Sequence, residues 1–278
     1  METTLAAAVA ELAAATQALP DVALERDYTW RYHEEGLRFA LIGSYHELRT
    51  LAVDLAAARS ARGPAITIAQ RVLGQYHGGY RDLQALLLGA DDATAQRAPA
   101  PEEWPIAATL GHMHDTARQF FGRCWHAAEM QRAGVTEPLE MDDEALAAFA
   151  GPSIAHESAT STLEAVRARF DALHARILAE LSPISDAETL VPSLWWEDEP
   201  IPVRYRLQRF DAHLRQHTIQ IEKIREALGM PLTEAQRLLR YSFAALAEVE
   251  ASTLGTDDLL NDEREAAARV IAARARTL

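Results

Sequence analysis

His213 and His217 stand four residues apart in the stretch DAHLRQHTIQIEK, residues 211–223. On a helix this spacing places both imidazoles on one face, about 6 Å apart along the axis, from where they can converge on one metal ion at N–metal distances near ~2.1 Å. Ordinary packing also produces such pairs, but two features argue for more. His217 occupies a position where the surrounding pattern calls for an aliphatic residue, and an unpartnered imidazole there costs ~1–3 kcal/mol. His213 lies on the shoulder of the same face, and Gln220, one turn beyond His217, is spaced to orient it as a ligand. A third ligand has to come from another helix. His112 and His114 of Gly111-His112-Met113-His114-Asp115 both qualify, and periodicity slightly favours His114, which falls nearer the seam of Ile106, Leu110 and Ala117.

The elements that must position these residues read as helices almost throughout, because apolar residues recur at spacings of three and four. Leu207, Phe210, Leu214, His217, Ile221, Ile224 and Leu228 form one seam, closed by Gly229 with Pro231 beyond. A second helix is expected from Ser161, where Ser-x-x-Glu164 has the form of a capping box, through Leu163, Val166, Phe170, Leu173, Ile177 and Leu181 to Pro183. A third is expected from Pro105 along Ile106, Leu110, Met113, Ala117, Phe120 or Phe121, Cys124 and Ala128. A fourth carries Ile68, Val72, Tyr76, Tyr80, Leu83 and Leu87, in phase across Gly78-Gly79. Together they predict an all-α chain with a four-helix bundle over residues 66–229. Residues 1–65, with a long helix ending near Arg62-Gly63-Pro64, and residues 230–278, with two more, read as helical extensions. Neither flank carries enough apolar residues to read as a separate domain, so both are expected to pack on the bundle or a second subunit. A short helix is expected over Asp142 to Phe149. In the connection from Ser182 to Val203, Trp195 and Trp196, with Tyr205 beyond, are read either as walls of a metal pocket or as a plug at one bundle end. Glu197-Asp198-Glu199 is read as a solvated turn.

The 278 residues are 49% hydrophobic, enough for a sizeable core. With 41 acidic against 27 basic residues and no basic stripe, a nucleic-acid surface is excluded. The single cysteine, Cys124, permits neither an internal disulfide nor a CxxC motif, and its place on an apolar seam marks it as a small core residue. The Ala-rich start carries Glu2 and Glu11 without a basic region, unlike a signal peptide, and no apolar run reaches the ~18 residues of a membrane span. A cytoplasmic protein is expected.

Glu103-Trp104-Pro105-Ile106, then His112 eight positions after the tryptophan, followed by His213-x-x-x-His217-x-x-Gln220-Ile221, resembles the DinB-like superfamily of bacterial metal-binding four-helix bundles. The similarity covers roughly residues 66–229. Carried over position by position, it implies that His112, His213 and His217 form the metal triad and sets aside the slight preference for His114. Pro105 stands where a serine or threonine is common in the family, and Thr218-Ile219 where Arg-Gly is usual.

The resemblance further implies a divalent ion, zinc or nickel, with a position open to water or substrate. The family includes S-transferases and isomerases that use low-molecular-weight thiols such as mycothiol or bacillithiol. A metal-dependent thiol S-transferase acting on small electrophiles is therefore the leading expectation, with a homodimer as the assembly. A non-catalytic metal-binding stress-response or structural bundle is the alternative. Asp115 and Thr116, one turn after His112, are read as facing the open coordination side or as plain surface residues.

Overall fold

The structure is a computed structural model that describes residues 4–63, 65–135, 137–197, 199–256 and 258–278. Pro64 and Asp198, on which two of the sequence readings partly fall, lie outside them. In chain order the helices and strands are α1 Leu5–Thr16, β1 Asp27–Trp30, β2 His33–Gly36, α2 Arg38–Arg62, α3 Ile68–Leu86, α4 Asp92–Gln96, α5 Ile106–Arg132, α6 Asp143–Ala150, α7 Leu163–Leu181, β3 Pro192–Ser193, β4 Ile201–Pro202, α8 Val203–Ala227, α9 Glu234–Thr253 and α10 Asn261–Ala275. The chain is all-α as expected, apart from the two short antiparallel pairs β1–β2 and β3–β4. None of the described helices is long and apolar enough to cross a membrane.

Two compact units are present, one of residues 66–76 and 90–229, the other of residues 1–65, 77–89 and 230–278. The first holds the expected bundle: the opening turns of α3, with α5, α7 and α8. Tyr76 of α3 is fully buried, with ring centroids 4.7 Å from Phe121 of α5, 4.9 Å from His174 of α7 and 5.5 Å from Phe210 of α8. The helix of α7 starts one residue later than the capping-box reading placed it. Thr162, not Ser161, is the N-cap, with extended backbone (φ −66°, ψ 152°) and a hydroxyl that accepts from the Ala165 amide. α8 ends where expected: Gly229 takes a left-handed φ of +74°, and the Leu228 amide reaches back to the Ile224 carbonyl.

The second unit corrects the reading of the flanks. Leu12 of α1, Leu41, Leu48 and Leu55 of α2, Leu239, Phe243 and Leu246 of α9, and Ile271 of α10 share one buried core. Each flank alone supplies too little apolar surface, but pooled they enclose a core of their own. Residues 77–89, predicted as bundle, belong with this unit, and Ala85 and Leu88 lie in its core. Within the unit, the Glu250 carboxylate of α9 accepts from Arg81 Nε at 2.8 Å and lies 2.7 Å from His77 Nε2.

Candidate metal centre

α5 and α8 position the three histidines. His112 lies on the second turn of α5, whose first turn is set by Pro105: its backbone is extended (φ −71°, ψ 168°) and its carbonyl accepts both the Thr109 amide and the Thr109 hydroxyl. Gly111, just before His112, is buried because the segment Ala155–Ser158 closes over it; a Cβ there would lie 2.4 Å from Ser158 Oγ. A side chain at 111 would therefore push this segment off α5 or move His112. On α8, His213 and His217 share a face as the i, i+4 spacing requires, and Phe210 one turn earlier stands 5.6 Å, ring to ring, from His213.

The ring nitrogens converge. His112 Nε2 lies 3.2 Å from His213 Nε2, and His217 Nε2 lies 3.1 Å from the same atom. One ring nitrogen from each of the three histidines falls within 4.8 Å of the other two, and among the described residues no Cys, Asp or Glu joins the group. His217 Nδ1 donates to Gln220 Oε1 at 2.7 Å, which leaves its Nε2 as a lone pair aimed at His213. His213 Nδ1 is buried with no hydrogen-bond partner. His213 Nε2 offers either a proton or a lone pair along one direction, so it cannot satisfy both close neighbours by hydrogen bonding. A shared cation resolves that conflict. Two nitrogens each ~2.1 Å from one ion stand ~3.0 Å apart at a right angle and ~3.4 Å apart at the tetrahedral angle, and the two spacings to His213 Nε2 lie between. The donor set thus fits one divalent ion.

The electrostatics point the same way. Burial, and then the neighbouring His217 and His112, push the His213 pKa down to about 3. Burial followed by His217 lowers that of His112. Imidazoles that resist protonation keep their lone pairs for a metal.

The other candidates separate from this group. His114 is buried edge-on against Phe170 of α7, ring centroids 5.8 Å apart, and its Nδ1 lies 3.1 Å from Asp115. Asp115 does not serve the triad: it accepts from the Ser153 hydroxyl and from the Ile154 amide at 3.1 Å, fastening the segment after α6. Thr116 donates to the His112 carbonyl. Trp195 packs edge-on against Phe120 of α5, centroids 5.0 Å apart and two turns past His112, while Trp196 and Tyr205 are exposed. Glu197 is no free surface acid, since it receives the fully buried Arg206 side chain through two hydrogen bonds of 2.9 and 3.0 Å. Cys124 is wholly buried, and burial pushes its thiol up to about 12.

Sequence reasoning missed the contact made by Trp104, whose indole lies 5.1 Å from the His112 ring. It also missed the cleft of about 850 Å³ that Trp104 lines together with Gln220. The only sequence signal for either is the tryptophan itself, eight positions before His112. No curated protein and no solved structure gives a match. A family model described as the DinB superfamily matches residues 75–221. That match spans more than half of the chain and contains all three converging histidines, and on this basis the chain belongs to the DinB superfamily.

Proposed function

We propose that His112, His213 and His217 hold one divalent metal ion, zinc or nickel, and that the chain is a metal-dependent thiol S-transferase acting on small electrophiles. The observation that carries the metal is the convergence of three Nε2 atoms, 3.1 and 3.2 Å apart, whose close contacts hydrogen bonding alone cannot satisfy. Three nitrogen donors leave at least one position of a four-coordinate ion for water or a thiol. A bound ion supplies a Lewis acid that lowers the pKa of whatever occupies that position. The chain's own part is to keep the donors neutral and aimed: burial resists protonation of His213 and His112, and Gln220 holds His217 in the tautomer that presents Nε2. The transferase part rests on the family relationship and on Cys124. Its thiol is buried and pushed up to about 12, so in such a reaction the nucleophilic sulfur is that of a small-molecule thiol and not of the chain.

A second reading, in which the ion only fastens α5 to α8, is favoured by the origin of the ligands on those two helices. Metal analysis of protein purified without a polyhistidine tag tests the shared premise. We expect about one ion per chain in the wild type and almost none in His217→Ala, and an absence of metal from the wild type refutes both readings. Calorimetry of the zinc-loaded protein with cysteine, N-acetylcysteine and glutathione then divides them. Saturable heat supports the transferase, and its absence with all three refutes it in favour of the structural ion.

A further inference from the structure

The cleft beside the triad has a chemistry that the metal does not explain. One wall is the segment before α5, with Glu102, Glu103 and Trp104; the other is the face of α8 that carries Ile219, Gln220 and Lys223. Its 850 Å³ lies within the ~300–1,000 Å³ of small-molecule sites. Trp104 and Ile219, 45% and 59% exposed, both face this concavity and give it apolar surface. Both signs of charge are present, and none of Glu102, Glu103 and Lys223 has an ion-pair partner among the described residues, although arginine–carboxylate pairs such as Arg206–Glu197 and Arg240–Asp82 occur elsewhere. Glu102 is moreover held at a left-handed φ of 65°, a costly conformation for a residue with a side chain. Lys223 is the only lysine in the chain; every other basic position is arginine.

We propose that this cleft binds an amino acid or short peptide with an apolar side chain, in its zwitterionic form. Lys223 receives the carboxylate, Glu102 and Glu103 receive the ammonium group, and Trp104 and Ile219 cover the side chain. A simple anion would meet two carboxylates and a simple cation would meet the lysine, so a ligand carrying both charges is the one that leaves no charged group of the cleft opposed. Because Trp104 touches His112 and Gln220 holds His217, a ligand here lies next to the triad. Selectivity for a zwitterion stands without a metal; only the ligand's role as a reactant rests on the proposed metal site.

The lone lysine provides the test. Reductive methylation with ¹³C-formaldehyde preserves its charge and yields one labelled side chain besides the amino terminus. Full-length, EDTA-treated protein is titrated with L-phenylalanine and L-alanyl-L-phenylalanine, and with their N-acetylated and C-amidated forms, while the Lys223 methyl resonance is followed. We expect saturable shifts with the parent compounds at millimolar concentration or below, and about tenfold weaker binding of each blocked form. Glu103→Gln should weaken the parent compounds and leave the N-acetylated ones unchanged. The surface position of Glu103 keeps that variant folded. No shift with either parent compound, or equal affinity for parent and blocked forms, overturns the proposal. Because the protein is metal-free, either result is independent of the metal analysis above.

Discussion

Replacing Gln220 by alanine tests how the triad is held. The 2.7 Å bond from His217 Nδ1 to Gln220 Oε1 fixes both the tautomer and the ring orientation that aim Nε2 at the other two histidines. Without it, the ring spends part of its time with Nε2 protonated or turned away, and apparent metal affinity falls by the fraction of time lost. Outer partners of this kind are worth ~10–100-fold in metal affinity, or ~1.4–2.7 kcal/mol. The same size follows independently from leaving a buried N–H unpaired, ~1–3 kcal/mol. Competition between the protein and a chromogenic chelator for zinc should therefore show Gln220→Ala weaker by about ten- to a hundredfold. Gln220→Glu should bind at least as tightly as the wild type, since a carboxylate is the stronger acceptor. Gln216→Ala, on the same face of α8 but exposed, serves as the control and should bind unchanged. An affinity for Gln220→Ala within about twofold of the wild type would refute the orienting role.

Three further outcomes follow from the packing. His112→Ala should abolish stoichiometric zinc binding, whereas His114→Ala should retain it and instead lower stability by ~1–3 kcal/mol in urea titrations, because His114 packs inside the bundle against Phe170. Gly111→Ala should cost ~1–3 kcal/mol by forcing Ser158 off α5, with a loss of zinc affinity if His112 moves as well. Glu250 supplies a pH dependence: burial raises its pKa, but the hydrogen bond from His77 and the charge of Arg81 outweigh this and hold the carboxyl below its ordinary 4.5. Its contribution is thus complete above that value and lost as the pH falls below it. Glu250→Gln should be less stable at pH 7, and the gap to the wild type should close in denaturation curves taken progressively below pH 4.5.

The order of the bundle helices and two of the three histidines were legible because α8 faces its partners along one seam, so a histidine on that seam stood out. α5 was harder. It is buried on more than one side, with His112 turned toward α8 and His114 toward α7, and a helix flanked on both sides has no single seam to rank its positions. The N-cap of α7 slipped by one residue because Ser161 and Thr162 are chemically equivalent caps, and backbone geometry decides between them. The core shared by the flanks was hidden for another reason: it joins residues such as Leu12, Leu48 and Ile271 that are far apart in sequence, and local periodicity carries no record of such pairing. In α3 the apolar seam stays in phase while its surroundings change after Tyr76, so nothing in the pattern marks the change.

The burial of Cys124 has a practical side. Because the chain's one sulfhydryl is sealed inside the bundle, the native protein should be silent to disulfide reagents such as dithiobisnitrobenzoate and should form no mixed disulfide with added small thiols. Consumption of a thiol in the presence of this protein can then be followed colorimetrically without a protein background. The absorbance change counts turnover of the small molecule alone.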